Sequence, residues 1–279
     1  MRLFKYLTPA RVDIVEDCRI RFSPPESFND PFECIPDSRL IENTAWQKNI
    51  EDASVRDLVA EEALRARIEG RSPRAVEDEI RRISREQYAV RLPQFKQLAQ
   101  AALKAAREPL RLLCLSAVAP DDSDAFLMWG HYTQNHEGFV LEFDSEHAWF
   151  RDHLPKEPEP HDAGPVIYSD RRPGWQVGGD GGAEPIRAFV FTKSNHWKYE
   201  REYRLLHFTN TPGRDTSSSV DALFPIPASA LIGVYFGVNA GEATRRRIHA
   251  ACGRSELRHL RLFSTAMHPD EYRIEVNRH

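Results

Sequence analysis

Paired cysteines, long apolar runs, an excess of positive charge and low-complexity tracts are all missing from this 279-residue sequence. The four cysteines, Cys18, Cys34, Cys114 and Cys252, lie far apart and form no C-x-x-C pair. That spacing argues against a thiolate metal site and suggests no disulfide framework. No apolar run approaches the ~18 residues that span a bilayer. The net charge of −4 gives no overall basic field of the kind that marks a nucleic-acid binder, although a local basic groove stays open. The first residues, Met1-Arg-Leu-Phe-Lys-Tyr-Leu7, lack the apolar core and small-residue cleavage site of a secretion signal. The expectation is a cytoplasmic chain with no membrane segment.

What the sequence does have is a dense stretch of aromatic and charged residues, Trp197-Lys-Tyr-Glu-Arg-Glu-Tyr-Arg204, running into Leu205-Leu-His-Phe208. Its aromatic and apolar content predicts a strand. Side chains alternate across a strand, so Glu200, Glu202 and Arg204 are expected on one face, with Cα atoms two residues apart at roughly 6.5–7 Å. Carboxylates that close raise each other's pKa, and a neighbouring cation lowers it. The competing explanation is the solvated face of an edge strand.

Taken in order, the spacing predicts a strand at Leu3–Leu7, a short helix capped by Thr8 with Pro9 in its first turn, and a strand at Cys18–Ser23. Pro24-Pro-Glu-Ser-Phe-Asn-Asp-Pro-Phe-Glu33 is a turn-rich loop. It is either purely structural or the carrier of Asn29, Asp30 and Glu33 at a site rim, anchored by Phe28 and Phe32. From 41 to 107 the composition turns to Ala, Glu, Arg, Leu and Gln, which predicts about three helices with breaks at Gly70–Pro73 and at Pro93. Strands are expected at Leu110–Val118, Gly138–Asp144, Val166–Tyr168, Leu231–Gly237, Leu260–Phe263 and Tyr272–Val276. Helices are expected at Ala125–His136, His147–Leu154, Ile186–Trp197 and Ala240–Cys252. Pro155–Pro165, Gly178–Gly182 and Thr211–Ser219 read as loops. The glycine run lacks the spacing of a phosphate-binding loop. The architecture predicted is a single α+β domain over 1–279, with mixed, mostly antiparallel short strands and a helical insertion at 41–107.

Four pieces in this order, Leu3-Phe-Lys-Tyr6, Arg21-Phe-Ser-Pro-Pro-Glu-Ser-Phe-Asn-Asp-Pro-Phe-Glu33, Met128-Trp-Gly-His-Tyr132 leading to His136-Glu-Gly-Phe139, and Lys193 followed by Trp197–Arg204, resemble the bacterial family of domain of unknown function 2971. The order of elements is also similar, more distantly, to ADP-ribosyltransferase-like folds. Those begin with a strand that meets nicotinamide adenine dinucleotide (NAD) and end with a Glu on a late strand. Lys5 and Tyr6 take the first place and Glu200-Arg-Glu202 the last, although no His stands on the first strand. This likeness is an analogy of order and carries expectations only.

The resemblance implies NAD as substrate, with ADP-ribose passed to a protein or nucleic-acid acceptor or to water, and a role as a toxin or phage-defence effector. Breaking the nicotinamide–ribose bond passes through an oxocarbenium-like state, which carboxylates stabilise. Glu202 is expected at the ribose and Glu200 at the acceptor. Lys5, Arg21 or Arg204 would hold the pyrophosphate, Tyr6, Trp129 or Tyr132 would stack on nicotinamide, and Asn29 and Asp30 would bond ribose or adenine. Two alternatives stay open. One is a metal-dependent nuclease or hydrolase built on Asp30, Glu33, Glu200 and Glu202. The other is a non-catalytic binding or regulatory module with carboxylates open to solvent. The helical insertion could bind a partner in any of these cases.

Overall fold

A computed structural model of the chain describes residues 1–37, 52–53, 70, 72–152, 163–174, 183–209 and 223–278. The chain packs as two units, one of Met1–Glu33, Pro109–Asp170 and Phe191–His279, the other of Cys34–Glu108 and Arg171–Val190.

The first unit is built from short strands: β1 (Arg2–Leu7), β2 (Arg19–Arg21), β3 (Leu110–Ser116), β4 (Phe139–Asp144), β5 (Ala163–Pro165), β6 (Ile167–Ser169), β7 (Thr192–Ser194), β8 (Glu202–Phe208), β9 (Leu223–Pro225), β10 (Leu231–Phe236), β11 (Arg261–Met267) and β12 (Ile274–Arg278). Eight form one sheet in the order β12-β11-β10-β4-β1-β3-β8-β5. Of its neighbouring pairs only β10–β11 is parallel. Two further pairs, β2–β9 and β6–β7, stand apart from it. The fold is therefore α+β with a mostly antiparallel sheet.

The period-two pattern of β1 explains how the sheet is covered. Leu3 and Leu7 join Leu113, Leu141, Phe143 and Val234 in one core. That core also takes Ile14 and Val15 from α1 (Asp13–Asp17) and Ile248 and Ala251 from α6 (Glu242–Cys252). Phe4 and Tyr6 point the other way and join Val140, Tyr235 and the buried residues Ala125, Met128 and Trp129 of α3 (Ala125–Tyr132). Each fully buried side chain of this size contributes about 1.5–3 kcal/mol.

The turn from α3 into β4 is made by backbone that tolerates little addition. Gln134, Asn135 and His136 all have positive φ, so the helix expected to reach His136 ends at Tyr132. A Cβ on Gly138 would fall 1.9 Å from the carbonyl oxygen of Leu7, an atom of a paired strand that cannot yield. Gly138→Ala is expected to lower stability by about 1–3 kcal/mol, the usual range for overpacking, read as a fall in the urea midpoint. An unchanged midpoint would show that β1 and β4 slip apart freely here.

Several sequence expectations are corrected. Thr8 occupies the cap position but its side chain makes no capping bond. In the second unit, α2 (Pro73–Arg107) is one 35-residue helix that runs through Pro93. Its start is as predicted, with the Ser72 hydroxyl accepting from the Ala75 N–H and Pro73 in the first turn. The Pro93 penalty of about 3 kcal/mol is overcome by a run of strong helix formers on both sides. The helix predicted for Ile186–Trp197 is instead α5 (Ala183–Val190), followed by β7 and a 3-10 turn. Ala163–Pro165, read as loop, pairs with β8. The predicted helix at His147–Leu154 is α4 (Ala148–Asp152) over its described part. Apart from residues 52–53, the other helices predicted between 41 and 69 fall outside the described residues, as do the Gly178–Gly182 run and the Thr211–Ser219 loop. Among the described residues no helix is long and apolar enough to cross a membrane.

Candidate functional site

The Trp197–Arg204 stretch is not one strand. Ser194 caps a 3-10 turn over Asn195–Glu200 by accepting from the His196 N–H. Arg201 then takes a left-handed conformation with φ 43°, and β8 starts at Glu202. A left-handed non-glycine residue costs roughly 1–2 kcal/mol. Here the Arg201 backbone donates to the Lys198 carbonyl and accepts from the Ala117 N–H, and its guanidinium pairs with Asp122 at 2.5 Å and Asp124 at 3.3 Å, in the loop that leads into α3. The alternation expected of a strand therefore does not set the directions of Glu200 and Glu202. The turn does, and it brings both carboxylates to Lys193 on β7.

Lys193 Nζ donates to Glu200 Oε2 at 2.6 Å and to Glu202 Oε2 at 3.1 Å, and lies 3.7 Å from Glu33 Oε2. Arg204 donates from Nε to Glu202 Oε1 at 2.8 Å, from Nη2 to Glu202 Oε2 at 3.0 Å, and to Glu33 Oε1. The Tyr132 hydroxyl donates to Glu200 Oε1. Three carboxylates, two cations and a phenol thus form one chain, and all but the phenol are buried. Arg204 is 0% exposed, Glu200 3% and Glu202 5%.

Burial sets the electrostatics. It pushes the Glu202 carboxyl above its ordinary value, with Lys193 opposing. It pulls the Arg204 guanidinium down to about 9, which leaves it charged at neutral pH. It works against the Lys193 ammonium too, but Glu202 and Glu200 outweigh it and hold that group above its usual range. The Tyr132 phenol is raised by burial and then by Glu200 beside it. Glu202 therefore has a definite acid–base signature. A carboxyl whose folded pKa lies above its ordinary 4.5 stabilises the fold below that pH, and the contribution is lost as pH rises through the raised value. In Glu202→Gln the decline of unfolding free energy with pH just above 4.5 is expected to flatten relative to wild type. Urea midpoints across that interval measure it, and parallel slopes would exclude a raised Glu202.

Glu200 and Glu202 line a cavity of about 390 Å³. It opens beside the point where β1 and β3 pair at Phe4 and Ser116. Of the residues singled out in the sequence, Lys5, Tyr6, Arg21, Asn29 and Tyr132 share that lining. Lys5 Nζ donates to the Cys114 carbonyl at 2.7 Å, and burial lowers its pKa. Three candidates lie elsewhere. Trp129 is fully buried, its Nε1 donating to the Pro120 carbonyl and its ring edge-on to Tyr6, so it packs the core behind the cavity. Asp30 accepts from the Phe32 N–H within its own loop. Arg204 lies behind the two glutamates, with Phe28 5.8 Å from its guanidinium. Phe32, expected as an anchor, is 63% exposed.

Lys193, Cys114, Ser116, Met128 and His131 also line the cavity and were not named as site residues. Lys193 was within reach, because it stood in a quoted motif seven residues before Glu200. Cys114 and Ser116 carried no signal beyond lying on a buried-looking strand. The Lys193 ammonium occupies the space between the three glutamates that a divalent cation would need. Among the described residues no group of three or more His, Cys, Asp and Glu is arranged to hold a metal ion.

No curated protein and no solved structure matches this chain, and the distant likeness to ADP-ribosyltransferase-like folds is not supported by these comparisons. Residues 128–205, the stretch that carries Tyr132, Lys193, Glu200 and Glu202, match the model of the family described as a protein of unknown function, DUF2971.

Proposed function

We propose that the cavity is a catalytic site that cleaves the bond between a ribose and a nitrogen leaving group, with NAD as donor and ADP-ribose passed to water or to an acceptor. The observation that carries this is the placement of Glu200, hydrogen-bonded to Tyr132, on the wall of a cavity that also presents Lys5, Tyr6 and Arg21. Its volume falls within the range of small-molecule sites. Lys5 and Arg21 supply positive charge for phosphate oxygens. Tyr6 and Phe28 supply rings for the nicotinamide.

The roles of the two glutamates differ from the simplest expectation. Both oxygens of Glu202 are taken by Arg204 and Lys193, which suits a group that holds the cations in place. Glu200 keeps one oxygen on Lys193 and the other on a phenol at the cavity wall, and is the better placed to take a proton. Burial of both carboxylates runs against a module that would display them to solvent. The ammonium among the glutamates runs against a metal centre built on them.

The test is nicotinamide release from NAD by the purified protein, with and without a chelator. Release that survives chelation supports this assignment. Absence of release, together with no NAD-dependent rise in melting temperature, would remove it, because any ligand that binds the native state raises its stability.

A further inference from the structure

Resting on that proposed cleavage, we infer that Tyr132 is the nucleophile and Glu200 its general base, so that the reaction passes through a ribosyl–tyrosine intermediate. The inference starts from an inventory of oxygens. Each carboxylate oxygen at the site is engaged. Glu33 gives one to Arg204 and has Lys193 beside the other, Glu202 gives both to Arg204 and Lys193, and Glu200 gives one to Lys193. The remaining Glu200 oxygen accepts from Tyr132. A carboxylate clamped by an ammonium or a guanidinium is a poor nucleophile, because attack would strip buried cations of their partners. The phenol oxygen is different. It lines the cavity, its proton already points at a carboxylate, and it belongs to the last residue of α3.

The chemistry balances without a further reagent. The Tyr132 oxygen bonds to the anomeric carbon as the carbon–nitrogen bond breaks. The bonding pair leaves with the nicotinamide nitrogen, which becomes neutral, and the phenol proton passes to Glu200. In the second step water attacks the same carbon. Tyr132 leaves as the phenol by taking back the proton from Glu200, and the proton released by water goes to solvent. A neutral nucleophile backed by a carboxylate is an established variant of glycosyl transfer, used by sialidases. It suits a site where Lys193 and Arg204 have neutralised the acids.

The experiment uses the full chain, NAD and methanol as a competing acceptor. Two displacements at one carbon return the starting configuration, so β-NAD is expected to give the β-methyl product. Acid-quenched samples are expected to carry one ADP-ribosyl group on the peptide containing Tyr132. Tyr132→Phe is expected to abolish both the adduct and turnover while its melting temperature shows that it folds. Turnover with inversion, or turnover retained in Tyr132→Phe, would overturn the nucleophile and leave the proposed cleavage standing. No turnover in wild type, together with no NAD-dependent rise in its melting temperature, would overturn both.

Discussion

Replacing Arg204 by methionine is expected to remove about 3–5 kcal/mol of stability, the cost of stripping one partner from a buried ion pair. Arg204 is fully buried and donates to both Glu33 and Glu202, themselves almost wholly inside. Methionine fills much of the same space, so the loss reports charge rather than a cavity. Two carboxylates would then share the single ammonium of Lys193 with Glu200. The defect should shrink toward acid pH, because protonation removes the unpaired charges and burial already favours a proton on Glu202. Adding Glu202→Gln to Arg204→Met should recover part of the loss, since the neutral amide needs no cation. Urea denaturation of the two single variants and the double variant measures the coupling directly. A loss under about 1 kcal/mol, typical of exposed pairs, would show that the network is solvated and that the buried arrangement is not the working one.

The same residues show how far the sequence could be read. Strands β1, β3, β4 and β10 were legible because alternation or continuous apolar character marks a buried sheet, and in the structure they form the middle of it with β8 alongside. That Glu200, Glu202 and Arg204 belong together was legible from their spacing. The reason was not. Glu200 ends a 3-10 turn and Glu202 begins a strand, and the left-handed Arg201 between them is bonded to Ala117 through its carbonyl and paired with Asp122 and Asp124, some eighty residues earlier. No local propensity forecasts a left-handed residue whose partners lie so far away in sequence. Trp129 was misplaced for the opposite reason: an aromatic stripe on a helix looks alike whether it faces a ligand or a core. Only the Pro120 carbonyl, which satisfies its indole N–H, decides the matter. Lys193 was visible as a residue yet silent as a role, because its importance comes from three glutamates drawn from two distant segments.

That division of roles leads to the sharpest kinetic expectation. Glu200→Gln is expected to lower nicotinamide release from NAD by about 10²–10⁴-fold, the usual contribution of a positioned general base. The amide oxygen can still accept from the Tyr132 hydroxyl, at the expense of the bond from Lys193, while the capacity to take the phenol proton is lost. The loss should fall on kcat with KM little changed, the mark of an interaction made in the transition state rather than on binding. Glu202→Gln should act in the reverse proportion. Its oxygens hold Arg204 and Lys193, so its removal disturbs the fold and the position of Lys193 before it touches the reaction. A smaller loss of kcat beside a larger fall in melting temperature is the expected pattern. The reverse ranking, with Glu202→Gln inactive and Glu200→Gln nearly normal, would return the ribose-facing role to Glu202 and reduce the Tyr132–Glu200 pair to a structural bond. The two variants differ from wild type by one oxygen exchanged for an NH₂ group, two residues apart in sequence. Any large separation between them therefore comes from which side of the network each carboxylate faces.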